Sequence, residues 1–430
     1  MSTAQQMYDW LRDLFPICRS ITGEGVRETL RYIKGELPDL NIHEVATGTK
    51  VFDWTVPDEW NISDAHILTP EGDKIADFRE NNLHVMGYSE PVDKPVSLDE
   101  LQDHLYSLPD QPDAIPYVTS YYKRRWGFSI AEHDRRRLKP GQYRVRIDST
   151  LNPGHLTYGD LIIPGKTEKE IFLSTYICHP SMANNELSGP VVVTALAKWI
   201  SSCPRRYTYR IVFIPERIGS LVYLHLNMPV MKQNIIAGFN VTCVGDNRTY
   251  SFLPSRSGKT LADKVALNVL NHKHPEFVRY SYLDRGSDEN QYCAPGCDLP
   301  VVSMMRTKYG RYPEYHTSLD NLSLVSPDGL YGAYDVYRDC IRVLEANAIY
   351  NMNVVMEPQL GKRGLYPTVS TKDGYPDYIK HIRNFIAYAD GTNDLIDISN
   401  IIGAPVDVLL RIVDDLMAEG LLETLNHNRN

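Results

Sequence analysis

The 430-residue sequence contains no uninterrupted apolar stretch of the ~18 residues that mark a membrane-spanning helix. Its best apolar run, Pro190 to Ile200, is broken by Lys198. The first fifteen residues, MSTAQQMYDWLRDLF, do not place a basic region before an apolar one, so no secretory signal is read there. Phenylalanine and tryptophan are scarce, with 10 Phe and 5 Trp against 28 Tyr. Tyrosine buries a ring and keeps a polar tip, so the excess points to half-wet surfaces such as clefts. Positive charge is also short: 45 Lys and Arg face 54 Asp and Glu, for a net charge of −9. That balance argues against nucleic acid or an anionic membrane as the main partner. The seven cysteines (Cys18, Cys178, Cys203, Cys243, Cys293, Cys297, Cys340) are odd in number and scattered. Reduced thiols and a cytoplasmic location are therefore expected in place of a disulfide framework. What the sequence does have is 43% apolar residues and 23% charged ones, enough for two or three packed domains.

Periodicity divides the chain. Met7, Leu11, Leu14 and Phe15 share a helical face, and a second helical run covers 25–37. Residues 49–147 read as an inserted β-rich domain, with short strand patterns at 50–56 and 65–69 separated by turn signals. Its most distinctive stretch, Pro116 to Gly127, interleaves aromatics with Lys123, Arg124 and Arg125. A single-stranded nucleic-acid platform has that look. The run is short and the chain acidic, so a packed, partly exposed edge is the reading preferred here.

From Asp160 the pattern becomes α/β. Strands are predicted at 160–163, 170–176, 209–214, 235–244 and 299–304, and helices at 189–200, 219–226, 261–271 and 327–348. Alternation of this kind implies a mostly parallel sheet covered by helices. Segments 1–48 and 148–350 are assigned to this core, and 351–374 to a linker. Residues 375–430 have the order of a winged helix-turn-helix: a helix, a short helix near 400–402, a helix over 406–417 and a strand at 421–425. Nine acids and four bases fall in that unit, so a protein contact is a better expectation for it than DNA.

Polar clusters follow the apolar strands, where open α/β sheets carry their sites. The first is Cys178-His179-Pro180, continuing into Ala183-Asn184-Asn185-Glu186-Leu187-Ser188-Gly189. A histidine at a strand end, followed by oxygen donors at a helix start, suits metal ligation. Glu216 closes a strongly apolar strand, where a carboxylate is costly unless a cation or metal is near. A third strand leads to Asp246. The fourth cluster runs from Arg306 through Tyr315-His316-Thr317 to Asp320, with Asp320 available to orient His316, and it follows a dense polar loop, 285–292.

In this order the residues resemble the zinc aminopeptidase superfamily, which includes bacterial leucyl aminopeptidases and glutaminyl cyclases. They are more specifically similar to a bacterial aminopeptidase-like family with an inserted β domain and a C-terminal winged helix. The phrases Cys178-His179-Pro180-Ser181-Met182-Ala183-Asn184 and Pro313-Glu314-Tyr315-His316-Thr317-Ser318 carry that likeness, which spans essentially the whole chain. The resemblance implies a phosphorylase/hydrolase-like α/β zinc-peptidase core. Within it His179 matches the first zinc histidine, His316 the last, and Glu216 the general base. Asn185 stands where two-zinc members place a bridging Asp, and Arg217 where they place a zinc-binding Glu. Asp246 or Asn240 falls near the remaining metal Asp. The usual His-x-Asp pair is absent, because Pro180 and Ser181 follow His179.

These substitutions point to one zinc ion rather than two, held by His179, His316 and an oxygen from Asn185, Glu186 or Asp246. The expected activity is zinc-dependent hydrolysis of an amide in a small peptide or amide-bearing metabolite. A tyrosine of the 309/312/315 group would donate to the oxyanion. Arg217, Arg256, Arg285, Arg306, Lys308, Tyr309 and Tyr315 are the expected substrate contacts. The rivals are a one-zinc acyl transferase or cyclase, a catalytically degenerate scaffold, and a metabolite-gated DNA regulator. No membrane partner is expected, and any homo-oligomer is expected through the insertion or the winged helix.

Overall fold

The computed structural model describes residues 2–121, 123–366 and 377–425. The chain separates into two compact units, one formed by 1–262 and 278–335 and the other by 263–277 and 336–430.

The first unit is built on an eight-stranded sheet. Across the sheet the order is Asn41–Ala46, His155–Ile163, Thr208–Ile214, Glu170–Tyr176, Ile235–Asn240, Val301–Met305, Ser251–Leu253 and Val278–Arg279. The four strands in the middle of this order, from Thr208–Ile214 to Val301–Met305, run parallel. The two on one flank and Ser251–Leu253 on the other pair antiparallel. Every residue of Glu170–Tyr176 is buried, as expected of a strand covered on both faces. Ile171, Phe172 and Leu173 are wholly buried, each stabilising the fold by roughly 1.5–3 kcal/mol. Glu170 sits at the strand's entry, where Arg210 donates to it through Nε at 2.6 Å and Nη2 at 2.9 Å. The same guanidinium donates to the Tyr223 hydroxyl, so this buried charge is matched.

Helix Thr3–Leu14 buries Met7, Trp10, Leu11 and Leu14; Trp10 takes the place expected for Phe15, which lies past the helix end. That helix packs on helix Ser188–Ser202. Gly189 makes the second helix possible at its site. A Cβ there would lie 2.3 Å from the Val241 carbonyl oxygen and 2.4 Å from Thr175 Oγ1.

The predicted strand at 235–244 stops at Asn240, since the next residues turn away from the ladder while staying buried. The predicted strand at 50–56 is instead a small hairpin, Lys50–Val51 against Trp54–Thr55. Beyond it lies a separate antiparallel sheet ordered Lys74–Ile75, Glu59–Leu68, Gln142–Asn152 and Val92–Ser97. Along Gln142–Asn152 burial alternates residue by residue, the mark of a sheet with one wet face.

The second unit contains helices Asp377–Tyr388, Leu395–Ile402 and Val406–Ala418 with a three-stranded antiparallel sheet. That sheet is ordered Asp390–Asp394, Ile349–Met352, Leu422–Leu425, which is a winged helix-turn-helix arrangement. The strand Ile349–Met352 corrects the expectation of a linker beginning at 351: residues 351 and 352 pair with Glu423 and Leu422. The rest of the expected linker falls partly outside the described residues. Asp394 caps its helix by accepting from Asp397 N–H, and Lys264 donates to both Asp394 oxygens. Among the described residues, no helix is long and apolar enough to cross a membrane.

Two glycine substitutions test this packing. Gly189→Ala is expected to lower stability by about 1–3 kcal/mol through overpacking. Gly35→Ala, in a helix with nothing within 4 Å of the added methyl, is expected to raise it by up to about 1 kcal/mol. Urea unfolding midpoints of the two variants check both signs.

Candidate active site

Two neighbouring parallel strands end together at prolines. Tyr176 pairs with Ile214, and the Ile177 N–H donates to the Ile214 carbonyl at 2.8 Å. Each chain then meets a residue without an N–H, Pro180 or Pro215, close to where it leaves the ladder. His179 and Glu216 are thereby set side by side, with Nε2 3.6 Å from Oε2. The Glu216 N–H donates to Cys178 Sγ at 3.2 Å, which ties the two strand ends.

The chain after His179 forms one turn of π-helix, Ala183–Leu187, before helix Ser188–Ser202 begins. Such wide turns recur at functional sites. Here the turn carries Glu186 back beneath His179, where Oε2 accepts from Nδ1 at 2.7 Å. Glu186 is wholly buried, and its other oxygen lies 3.7 Å from Nε of Arg19. Arg19 is itself 1% exposed. It donates to the His179 carbonyl at 3.0 Å and to the Leu14 carbonyl at 2.8 Å. Arg19 reaches this place because helix Glu24–Glu36 begins against it: a Cβ on Gly25 would lie 1.9 Å from the Cys18 carbonyl oxygen.

His316 closes the site from the far loop. Its ring centroid is 5.5 Å from that of His179. Tyr315 stacks on it at 3.9 Å, and Tyr117 of the insertion meets it edge to face at 5.2 Å. The two tyrosine clusters of the sequence thus meet at one histidine; Tyr122 lies outside the described residues. Burial, with the nearby His179, holds the His316 pKa down at about 3, so the ring is neutral. Its Nε2 is buried without a hydrogen-bond partner. Burial also opposes charge on His179, but Cys178 and Glu186 outweigh it and raise that pKa.

A carboxylate group lies behind Glu216. Burial raises the Glu216 pKa against the opposing pull of His179. Burial and the charge of Glu216 push Asp288 up to about 8. Asp288 accepts from the Arg217 N–H at 2.7 Å and the Ser220 hydroxyl at 2.8 Å. Glu289 accepts from the N–H groups of Gly286 and Ser287, from the Tyr309 hydroxyl, and from Asn240 Nδ2 at 3.0 Å.

The backbone is strained at this end of the sheet. Ser181, Arg217, Cys243 and His316 have φ of 40°, 62°, 52° and 57°, half of the eight non-glycine residues with positive φ among the described residues. Each costs on the order of 1–3 kcal/mol and concentrates where a site demands a particular aim.

The expected ligands divide. His179 stands at the centre, with Glu186 on Nδ1, Glu216 3.6 Å from Nε2 and the His316 ring 5.5 Å from its own. Cys178, His179 and Glu186 also offer ligand atoms within 4.8 Å of one another. Glu186 is already engaged on His179 Nδ1, so it serves to orient the ring and leave Nε2 for a metal. Asn185 donates to the Tyr176 hydroxyl at 2.9 Å, and its Oδ1 is buried and unpaired. Asp246 is placed differently. Its oxygens accept from Asn184 Nδ2, from the N–H groups of Arg248 and Thr307 and from the Thr307 hydroxyl, so it braces the loops. Asp320 does not orient His316. It accepts from the N–H groups of Asn184 (2.6 Å) and Asn185 (2.9 Å) and from the Tyr312 hydroxyl, and so fixes the π-turn.

The expected cations divide as well. Arg256 is paired with Asp298, Arg285 lies over Tyr282, and Arg306 lies over Tyr250 at 4.0 Å. Arg217 stays exposed beside Glu216 and donates to the Gly286 carbonyl. Lys308 is 5% exposed, with its ammonium 3.9 Å from the Tyr309 ring centroid. Burial lowers its pKa. The Tyr309 and Tyr312 hydroxyls are engaged on carboxylates, which leaves Tyr315, stacked on His316, as the member of that group nearest the site.

Sequence reasoning missed Arg19, Asp288 and Glu289 as site residues. The last two had a signal, the dense polar loop 285–292. Tyr117, in the aromatic clustering of the insertion, was expected to line a cleft with the 309/312/315 group. Arg19 had none, because its partners at the site, His179 and Glu186, lie 160 and more residues away.

The donor set fits zinc. Zinc takes neutral imidazole nitrogens and hard oxygens, and two imidazoles face one another here with an unpaired Nε2 and an unpaired amide oxygen nearby in the fold.

Residues 8–347 match a family described as a domain of unknown function, DUF4910, and residues 348–424 match a winged helix-turn-helix family. A Clostridium acetobutylicum protein named for polysaccharide biosynthesis and an aminopeptidase-like domain is 46% identical over 398 residues, 92% of this chain and 91% of that one. A crystal structure of a protein from the same species, named as a peptidase, superposes with a TM-score of 0.92 at 43% identity, covering 98% of this chain and 97% of that one. The zinc aminopeptidase of Bacillus subtilis superposes at a TM-score of 0.57 and 12% identity, covering 79% of this chain and 94% of its own. That last likeness is one of fold: this chain has an aminopeptidase-like α/β core.

Arg19→Ala leaves the Glu186 carboxylate buried without its cation. It is expected to cost about 3–5 kcal/mol of stability. Arg12→Ala, on the same N-terminal segment but with a half-exposed side chain, is expected to change stability by no more than ~0.5 kcal/mol. Chemical denaturation of both variants measures the difference.

Proposed function

The chain belongs to the DUF4910 family, and from that premise we propose that it is a zinc-dependent amide hydrolase of aminopeptidase type, acting on a small peptide or amide-bearing metabolite. The observation that carries this reading is the pinned imidazole. Glu186 holds His179 Nδ1, which turns Nε2 toward Glu216, while His316 presents an unpaired Nε2 across the same space.

His179 and His316 would hold one zinc ion, with Asn185 Oδ1 as the oxygen candidate. Zinc so bound polarises a carbonyl and acidifies water. Glu216 accepts a proton from the attacking water and returns it to the leaving amine. Burial favours this role, since it raises the pKa of Glu216 toward the working range of a base. Arg217, exposed beside Glu216, and Lys308, held over Tyr309, are suited to an acidic group on the substrate. Arg217 also supplies positive charge where two-zinc relatives place a zinc-binding carboxylate.

One observation favours a second reading. Asn185 and Arg217 replace two carboxylates of the two-zinc pattern, as a degenerate fold retained for binding would allow.

Glu216→Gln separates the readings. With zinc content measured in the same samples, and a panel of aminoacyl anilides as probes, hydrolysis is expected to fall by about 10²–10⁴-fold while zinc is retained. Undiminished hydrolysis overturns the base assignment. Absence of bound zinc after zinc-supplemented expression favours the scaffold.

A further inference from the structure

The insertion reaches into the site through a strap. Residues 115–118 run alongside the loop that bears His316. The Tyr117 N–H donates to the His316 carbonyl at 2.9 Å, and the Ser318 N–H donates to the Ile115 carbonyl at 2.9 Å. The Ile115 N–H donates to Ser318 Oγ at 3.0 Å, and Gln111 Nε2 donates to the Pro313 carbonyl at 2.9 Å. An antiparallel bridge joins Pro116 to Thr317. The other edge of the strap is bound to the insertion itself: the Gly87 N–H donates to the Val118 carbonyl, and the Ser120 N–H to the Gly87 carbonyl.

The strap lays one side chain against both imidazoles. The Tyr117 ring lies 5.2 Å from the His316 ring at 83°, and 5.2 Å from the His179 ring at 56°. Its hydroxyl is 2.9 Å from that of Tyr121. Tyr121 in turn packs edge-on against Tyr88 at 5.0 Å. His179 has a second restraint on its ring, the Glu186 carboxylate. His316 has its left-handed backbone, the stacked Tyr315, and Tyr117. Stacking fixes the plane of a ring but still allows the half-turn about Cβ–Cγ that exchanges its two edges. An edge-to-face neighbour tells those edges apart.

We propose that Tyr117 is a positioning residue, delivered by the insertion, that sets the rotation of the His316 imidazole relative to His179 so that the two Nε2 atoms serve one metal ion. The ring does this, and the hydroxyl only anchors the ring to Tyr121. The insertion is then part of the site. The metal reading given above is needed for one of the two measurements below and not for the other.

The test uses full-length protein labelled with ¹⁵N at the histidine imidazoles and treated with chelator. In the wild type and in Tyr117→Phe, His316 is expected to show the widely separated nitrogen shifts of one neutral tautomer. In Tyr117→Ala and in the bulk-retaining Tyr117→Leu, where the ring can sample both orientations, those shifts are expected to move toward the averaged values of two exchanging tautomers. Thermal melts report folding separately. Cobalt(II) titration, read by its visible absorption, is the second measurement. Affinity is expected to fall by about 10-fold or more in the Ala and Leu variants, as when a residue supporting a metal ligand is removed, and to be retained in the Phe variant. A single His316 tautomer in the folded Ala or Leu variant overturns the proposal, and so does unchanged cobalt affinity there. If the wild type takes up no cobalt, the metal reading fails, and the nitrogen shifts alone decide the role of Tyr117.

Discussion

Glu186 is a carboxylate with no access to water, and a charge in that position must be matched where it lies. One oxygen faces Arg19 and the other holds His179. Matching it brings three remote segments to one point. The loop between the first two helices must supply Arg19. The strand end at 176–179 must supply the imidazole. The π-turn at 183–187 must rotate Glu186 inward, which it does because Asp320 gathers the N–H groups of Asn184 and Asn185. If the pair at Arg19 fails, the carboxylate that aims His179 is left buried without its cation.

Around that pair the site collects groups that are costly in a packed core. Unpaired polar atoms of Asn185, Asn240, Asp288 and His316 are buried at this end of the sheet. So are left-handed residues that a β-carbon makes costly. Glu216 and Asp288 each disfavour charge on the other. These features weaken the fold where they stand, and the closely packed parallel strands below sustain them. The neighbouring register of Tyr176 with Ile214 also puts a histidine and a glutamate at adjacent strand ends without any loop having to search for the geometry.

Much of this was legible in the order of residues. The buried run Glu170–Tyr176 announces a covered strand, and a histidine at such a strand's end announces a site, because polar groups are tolerated where the sheet stops. His179 and Glu216 were singled out on that ground, and His316 from the polar cluster that follows the strand Val301–Met305. Asp246 and Asp320 were misread for a common reason. A buried aspartate after a strand can bind a metal or can gather N–H groups from another loop, and local sequence is the same in both cases. Arg256 and Arg285 were over-read likewise, since a cation in a polar loop gives no sign of whether Asp298 or Tyr282 will engage it. The strand Ile349–Met352 was missed because its partner, Leu422–Leu425, lies some seventy residues on.

The sequence by itself determined the layer architecture, the strand ends that bear the chemistry, and the winged helix-turn-helix order of the last unit. Those follow from periodicity and from where apolar runs stop, which are properties of neighbours along the chain. Only the tertiary structure decided which nitrogen of His179 is pinned, that Arg19 stands behind Glu186, and that Tyr117 of the insertion lies against both imidazoles. Each is a contact between segments remote along the chain, or a choice between hydrogen-bond partners of equal chemistry. Such choices are made by packing, because only packing sets which of several competent donors and acceptors end up within 3 Å of one another.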